Sequence, residues 1–162
     1  MPNLLKIAVI VVMGVLSTAA IANEAADATR PMQEIKESDI VYRDDPAFAK
    51  GAQTAVLVGD PKKPGLFILR LKMVPGFVVQ PHTHPVFETV TVLKGKMGSG
   101  MGEKADLTKG KLLGIGAVLA LPAKHPHYVW AADEEVVLQV VANGPFDINY
   151  INPADDPRLK KN

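Results

Sequence analysis

Between residues 41 and 151 the apolar and polar positions change over in short runs, each closed by glycine, proline or aspartate. Residues 54–58 predict a strand, ended by Gly59-Asp60-Pro61 and then by Pro64-Gly65. Residues 66–73 (LFILRLKM) are apolar and β-branched enough for a second, and Pro75-Gly76 closes it. Residues 77–79 lead into a histidine pair, and 87–93 (FETVTVL) alternate with period two, the mark of a strand with one buried face. Residues 94–102 carry glycines at 95, 98, 100 and 102 and read as a flexible hairpin region. Residues 111–121, 127–131, 135–141 and 148–151 complete the predicted strands. Helical periodicity never persists beyond about two turns, and 46–51 is the single short candidate. No repeat of solenoid length is visible. Many short strands with breakers between them predict an all-β sandwich or barrel.

The first 22 residues follow another pattern, MPNLLKIAVIVVMGVLSTAAIA. Lys6 precedes an apolar run over 7–16, and small residues end in Ala20-Ile21-Ala22. That order is the secretory signal pattern, with cleavage expected after Ala22. The run is shorter than the ~20 apolar residues of a membrane span. Ser17 and Thr18 also interrupt its end, so no membrane anchor is expected after cleavage. The expected location is periplasmic or secreted. With no twin arginine near the start, export should be of the unfolded chain, and any metal would be acquired outside the cytoplasm. Residues 23–40, polar and alanine-rich, form a loosely ordered lead-in, 41–151 the domain, and 152–162 a tail without apolar periodicity.

Composition agrees with one folded β domain. The 162 residues are 48% apolar and 22% charged, with thirteen glycines and thirteen prolines, which suits a turn-rich fold. Eighteen basic against seventeen acidic residues give a net charge of +1. That supplies no electrostatic ground for nucleic acid as a partner. The absence of cysteine removes disulfides, thiolate ligands and thiol nucleophiles. The glycines after residue 94 fit neither a Walker loop nor a dinucleotide fingerprint.

The chemistry concentrates in four histidines, arranged as His82 with His84 and His125 with His127. Between Gly76 and Gly95 the chain reads GFVVQPHTHPVFETVTVLKG, or G-x5-H-x-H-x3-E-x6-G. Residues two apart on a strand face the same side, so His82 and His84 can point at one spot. Glu88 lies an even number further on and can return to that face on the next strand. Two imidazoles and a carboxylate converging in this way suit a divalent transition metal. A bare H-x-H is most often a surface pair and most glutamates are solvated. Glu88, however, shares parity with Val90 and Val92, and a carboxylate facing an apolar interior needs a cation. The fourth ligand would come from the second pair, where His125 and His127 have equal parity and both stay candidates.

The 76–95 stretch resembles the first motif of the cupins at every defining position. The second cupin motif, G-x5-P-x-G-x2-H-x3-N, is matched in part by residues 116–131, at Gly116, Pro122 and His127. Lys124 stands in place of its inner glycine and Ala131 in place of its asparagine. The resemblance implies a small antiparallel β-barrel of jelly-roll type. It also implies a 3-His-1-Glu metal site of His82, His84, Glu88 and His127, with His125, held by Pro126 in a turn, at the rim. The cofactor implied is one divalent transition metal ion, Zn, Cu, Fe, Mn or Ni. A nitrogen-rich site filled outside the cytoplasm would favour copper or zinc.

Gln139, polar within VVLQVV, either lines the cavity or bonds the backbone at an edge. Met73, Phe77, Val79 and Phe87 are candidates for an apolar cavity wall or for ordinary core. Tyr128 and Trp130, opposite in parity to His127, should pack outside the lumen. Lys124 either attracts an anionic substrate at the mouth or is simply solvated. Two functions fit. One is an enzyme acting on a small organic molecule, such as a dioxygenase or isomerase, with Glu88 as the catalytic base. The other is a periplasmic protein that binds a metal or small ligand without turnover. The expected partner is a small molecule, and a homodimer is compatible with either function.

Overall fold

The computed structural model describes residues 31–160; the signal-peptide reading of residues 1–22, residues 23–30 of the lead-in and the last two residues lie outside them. The chain divides after Gln33, and every element below belongs to the unit that begins at Glu34. Its strands are β1 (Arg43–Asp44), β2 (Ala52–Val58), β3 (Gly65–Met73), β4 (Val78–Thr83), β5 (Glu88–Lys94), β6 (Met97–Met101), β7 (Lys111–Leu113), β8 (Val118–Leu121), β9 (His127–Ala131), β10 (Val136–Gly144) and β11 (Asn149–Tyr150). The only helices among the described residues are 3-10 turns, at Glu37–Asp39, Pro153–Asp155 and Pro157–Leu159. The fold is therefore all-β, as the periodicity requires. The segment 46–51, a helical candidate by sequence, forms turns instead.

All strand pairs are antiparallel, in two sheets. One has the order β1-β2-β3-β10-β5-β8, the other β11-β4-β9-β6-β7. Residues of alternate parity from both sheets meet in the core, where Phe67, Met73, Val92, Met97, Val136 and Leu138 are almost wholly excluded from water. β10 pairs with β3 along one side and β5 along the other, so it is central rather than an edge. Leu138 and Val140 turn inward from it. Gln139 lies opposite Arg70 and Thr91 on the outward parity, which corrects both readings of that residue, cavity and edge.

Two stretches fold differently from their sequence expectation. Residues 94–102 are not a loose hairpin, since β6 occupies 97–101 between β7 and β9. Gly98 pairs with Trp130 and Gly100 with Tyr128 across the sheet. A Cβ at either glycine would run into those rings, so the alternating glycines clear a floor for two stacked aromatics. Tyr128 and Trp130 accordingly pack on the outer face of that sheet, beneath the 102–110 loop, where Tyr128 Oη donates to Asp106 O at 2.9 Å. Residues 111–121 break into β7 and β8, which belong to different sheets. Gly116 turns the chain between them at φ +85°, a conformation that disfavours side-chain-bearing residues.

Candidate metal centre

His82 sits on β4 beside Pro81, which has no N–H to give to the ladder, and the pairing of β4 with β9 shifts register between Val79 and His82. Beyond that irregularity His82 faces His127, the first residue of β9, and on its other side Tyr150 of β11. His84 lies just past β4, its ring stacked on Phe146 at 4.3 Å between centroids. Its carbonyl accepts from Lys124 N at 2.8 Å. Lys124 has φ +63°, so it takes up the left-handed turn where the family motif carries glycine, and its side chain is solvated. Glu88 opens β5 on the opposite sheet, between Ala142 and Leu121. The site thus bridges the two sheets, and all four side chains are buried.

The histidine ring nitrogens divide by role. Nδ1 of His82 lies 2.7 Å from Gln80 O, Nδ1 of His84 2.7 Å from Asp147 O, and Nδ1 of His127 3.0 Å from His125 O. A carbonyl oxygen only accepts, so in each ring Nδ1 carries the proton and donates it. In its neutral form each ring then presents Nε2 as the free nitrogen, the arrangement found in metal-ligating histidines. Ligand atoms of His82, His84 and His127 lie within 4.8 Å of one another.

Glu88 Oε1 completes the cluster. It stands 3.2 Å from His84 Nε2 and 3.4 Å from His127 Nε2, buried and without a hydrogen-bond donor. Lone pairs therefore face lone pairs at close range, a contact that only a cation between them makes favourable. Burial, reinforced by the neighbouring imidazoles, pushes His82 well below the ordinary histidine range, and burial also lowers His84 despite the attraction of Glu88. Three imidazole nitrogens and a carboxylate oxygen fit a divalent transition ion.

The cluster lies on a cavity of about 350 Å³ between the sheets, whose wall is mostly aliphatic. Val79 contributes to it, whereas Met73 is sealed in the core, Phe77 packs beside the core and Phe87 is exposed. His125 is exposed and outside the cavity. Its part is played by the backbone, whose carbonyl holds the His127 ring. Two supporting residues carried no signal in the sequence reading. Asp147 supplies the carbonyl for His84, and Arg158 fixes Asp147 by donating from Nη1 to its carboxylate at 2.9 Å and from Nη2 to Ile148 O at 2.8 Å. Arg158 is held in turn by Asp156, with contacts of 2.9 and 2.8 Å. Both sit in or near a tail that lacks periodicity, and a contact through a backbone carbonyl leaves no trace in residue type.

A cupin family model matches residues 49–150. The chain is a cupin. Solved structures agree on the fold. The polyketide cyclase RemF from Streptomyces resistomycificus has a TM-score of 0.64 at 20% identity, over 79% of this chain and 91% of that one. KdgF from Halomonas sp. has a TM-score of 0.53 at 16% identity, over 67% and 91%. The DMSP lyase DddQ from Ruegeria pomeroyi DSS-3 has a TM-score of 0.54 at 17% identity, over 75% and 71%. At such identities the cupin likeness establishes architecture, not activity. No curated protein sequence matches this cupin.

Proposed function

We propose that this cupin is exported and holds one divalent transition metal ion on His82, His84, His127 and Glu88. In this reading it transforms a small organic molecule bound in the adjoining cavity, as an oxygenase or isomerase. The observation that carries it is Glu88 Oε1, a buried carboxylate oxygen beside Nε2 of His84 and of His127 with no hydrogen bond of its own. A bound metal would supply Lewis-acid or redox chemistry at the floor of the cavity. The three Nδ1–H donors fix the rings, and the aliphatic wall excludes water from the reacting end of the substrate. Glu88, facing the substrate space, is the group placed to accept a proton at its carboxylate.

One observation favours a second reading, binding without turnover. Apart from the cluster itself, the titratable side chains on the wall among the described residues are Asp45, Asp60, Lys62 and Asp147, none of them buried. Among the described residues no separate acid therefore stands beside Glu88 to return a proton. Oxygen uptake and product analysis with phenols and diketones, on protein loaded in turn with iron, nickel, copper and zinc, separate the two. Turnover that needs the metal and disappears in Glu88→Gln supports the enzyme. Stoichiometric binding of these compounds with no turnover under any metal supports the binding protein. Export predicts an intact mass for the secreted form that begins at Asn23, and retention of residues 1–22 would overturn it.

A further inference from the structure

The cavity wall says what kind of molecule the site accepts. Besides the cluster its inner surface is largely hydrocarbon, from Leu71, Val90, Leu138 and Val140, with the ring of Phe146 stacked on His84. Among the described residues, Lys62 is the one cation on the lining. Its side chain is 72% exposed and already lies 3.7 Å from the Asp147 carboxylate. Three carboxylates also line the cavity, Asp45, Asp60 and Asp147. Asp45 accepts from Ala47 N and Thr54 Oγ1, and Asp60 from Lys62 N, so both are satisfied within the protein. The Thr54 hydroxyl proton is spent on Asp45. A second anionic group on a ligand would thus meet hydrocarbon or carboxylates on the lining. Burying a charge without a partner is strongly disfavoured.

We infer that the ligand is an uncharged, largely apolar small molecule, with one oxygen directed at the histidine cluster and a hydrocarbon or aromatic body along the wall. Acids that carry a carboxylate, phosphate or sulfate at the far end are rejected. The inference rests on the metal-site reading for the oxygen end only, since the selection against a distal charge comes from the wall. The cavity, about 350 Å³, is at the small end of the roughly 300–1,000 Å³ range of ligand sites, which suits a one- or two-ring compound.

Two phenols isolate the effect. 4-Propylphenol and 3-(4-hydroxyphenyl)propionate present the same phenol oxygen and differ only in a terminal methyl against a carboxylate. Calorimetric titration of the purified full-length protein, with metal content measured on the same samples, should show 4-propylphenol binding at least about tenfold more tightly. Val56→Lys places a cation on the lining at a residue that is 49% exposed, with folding checked by circular dichroism. That variant should reduce the preference to about threefold or less. Equal or tighter binding of the propionate by the parent protein overturns the inference, as does no detectable binding of either compound. An unchanged preference in Val56→Lys overturns it as well, because the selection would then not reside in the charge of the wall. Metal at one equivalent with no preference sinks this inference and spares the metal site. A tenfold preference in protein that holds no metal does the reverse.

Discussion

At His84 the position of one proton decides what the site can hold. Its Nδ1–H is committed to Asp147 O, so Nε2 meets Glu88 Oε1 as an acceptor facing an acceptor. Glu88→Gln should therefore have effects of opposite sign. The amide keeps the shape and can donate to Nε2, which supplies the hydrogen bond that the buried group lacks, so metal-stripped protein should gain about 1–3 kcal/mol in denaturant unfolding. Metal affinity should fall by more than the roughly 10–100-fold typical of losing a supporting contact. A variant that loses both metal and metal-free stability would show that Glu88 is held by something other than a cation. This part of the site was legible in the sequence because His82, His84 and Glu88 occupy even spacings on extended chain. The assignment between His125 and His127 rested on motif position, and the structure buries His127 in the cluster while leaving His125 at the surface.

Among the elements, the C-terminal turns do more than the sequence suggests. Asn152 and Asp156 each cap the 3-10 turn that follows them, and the second turn carries Arg158 onto Asp147. Arg158→Ala should leave the ligands in place but loosen the carbonyl that orients His84, weakening metal binding by about 10–100-fold. Unchanged affinity in a metal-competition titration would confine Arg158 to anchoring the tail. The 102–110 loop has its own electrostatic lock. Asp106 accepts from the Thr108 hydroxyl at 2.6 Å and from Lys109 Nζ at 3.0 Å, which holds its carboxyl down at about 2. Because its folded value lies below the ordinary 3.8, its stabilising contribution is complete above that pH and is lost as pH falls towards 2. Asp106→Asn should flatten the acid limb of a pH–stability curve in that window, and an unaltered limb would mean the loop opens freely. The strands with clean period-two alternation were readable along the chain. β6 was not, because glycines that make room for Tyr128 and Trp130 look the same in sequence as glycines that loosen a hairpin. The division between β7 and β8 was hidden for a related reason, since the run is apolar on both sides of Gly116 and only the backbone angle marks the break.

At the scale of the whole molecule, two sheets close over one cavity and each contributes to a single cluster, His82, His84 and His127 from one and Glu88 from the other. Neither sheet alone brings the donor set together, so metal binding and closure of the barrel should be coupled. The number of ions per chain and the residue that supplies the third imidazole can be read in one experiment. It is elemental analysis of the purified protein beside its His127→Ala and His125→Ala variants, each confirmed as folded by circular dichroism. The parent and His125→Ala should hold about one equivalent of a divalent transition metal per chain, copper or zinc when loaded without controlled supply, and His127→Ala close to none. Equal metal in all three proteins, or loss in His125→Ala with retention in His127→Ala, would contradict a centre built on His82, His84, Glu88 and His127.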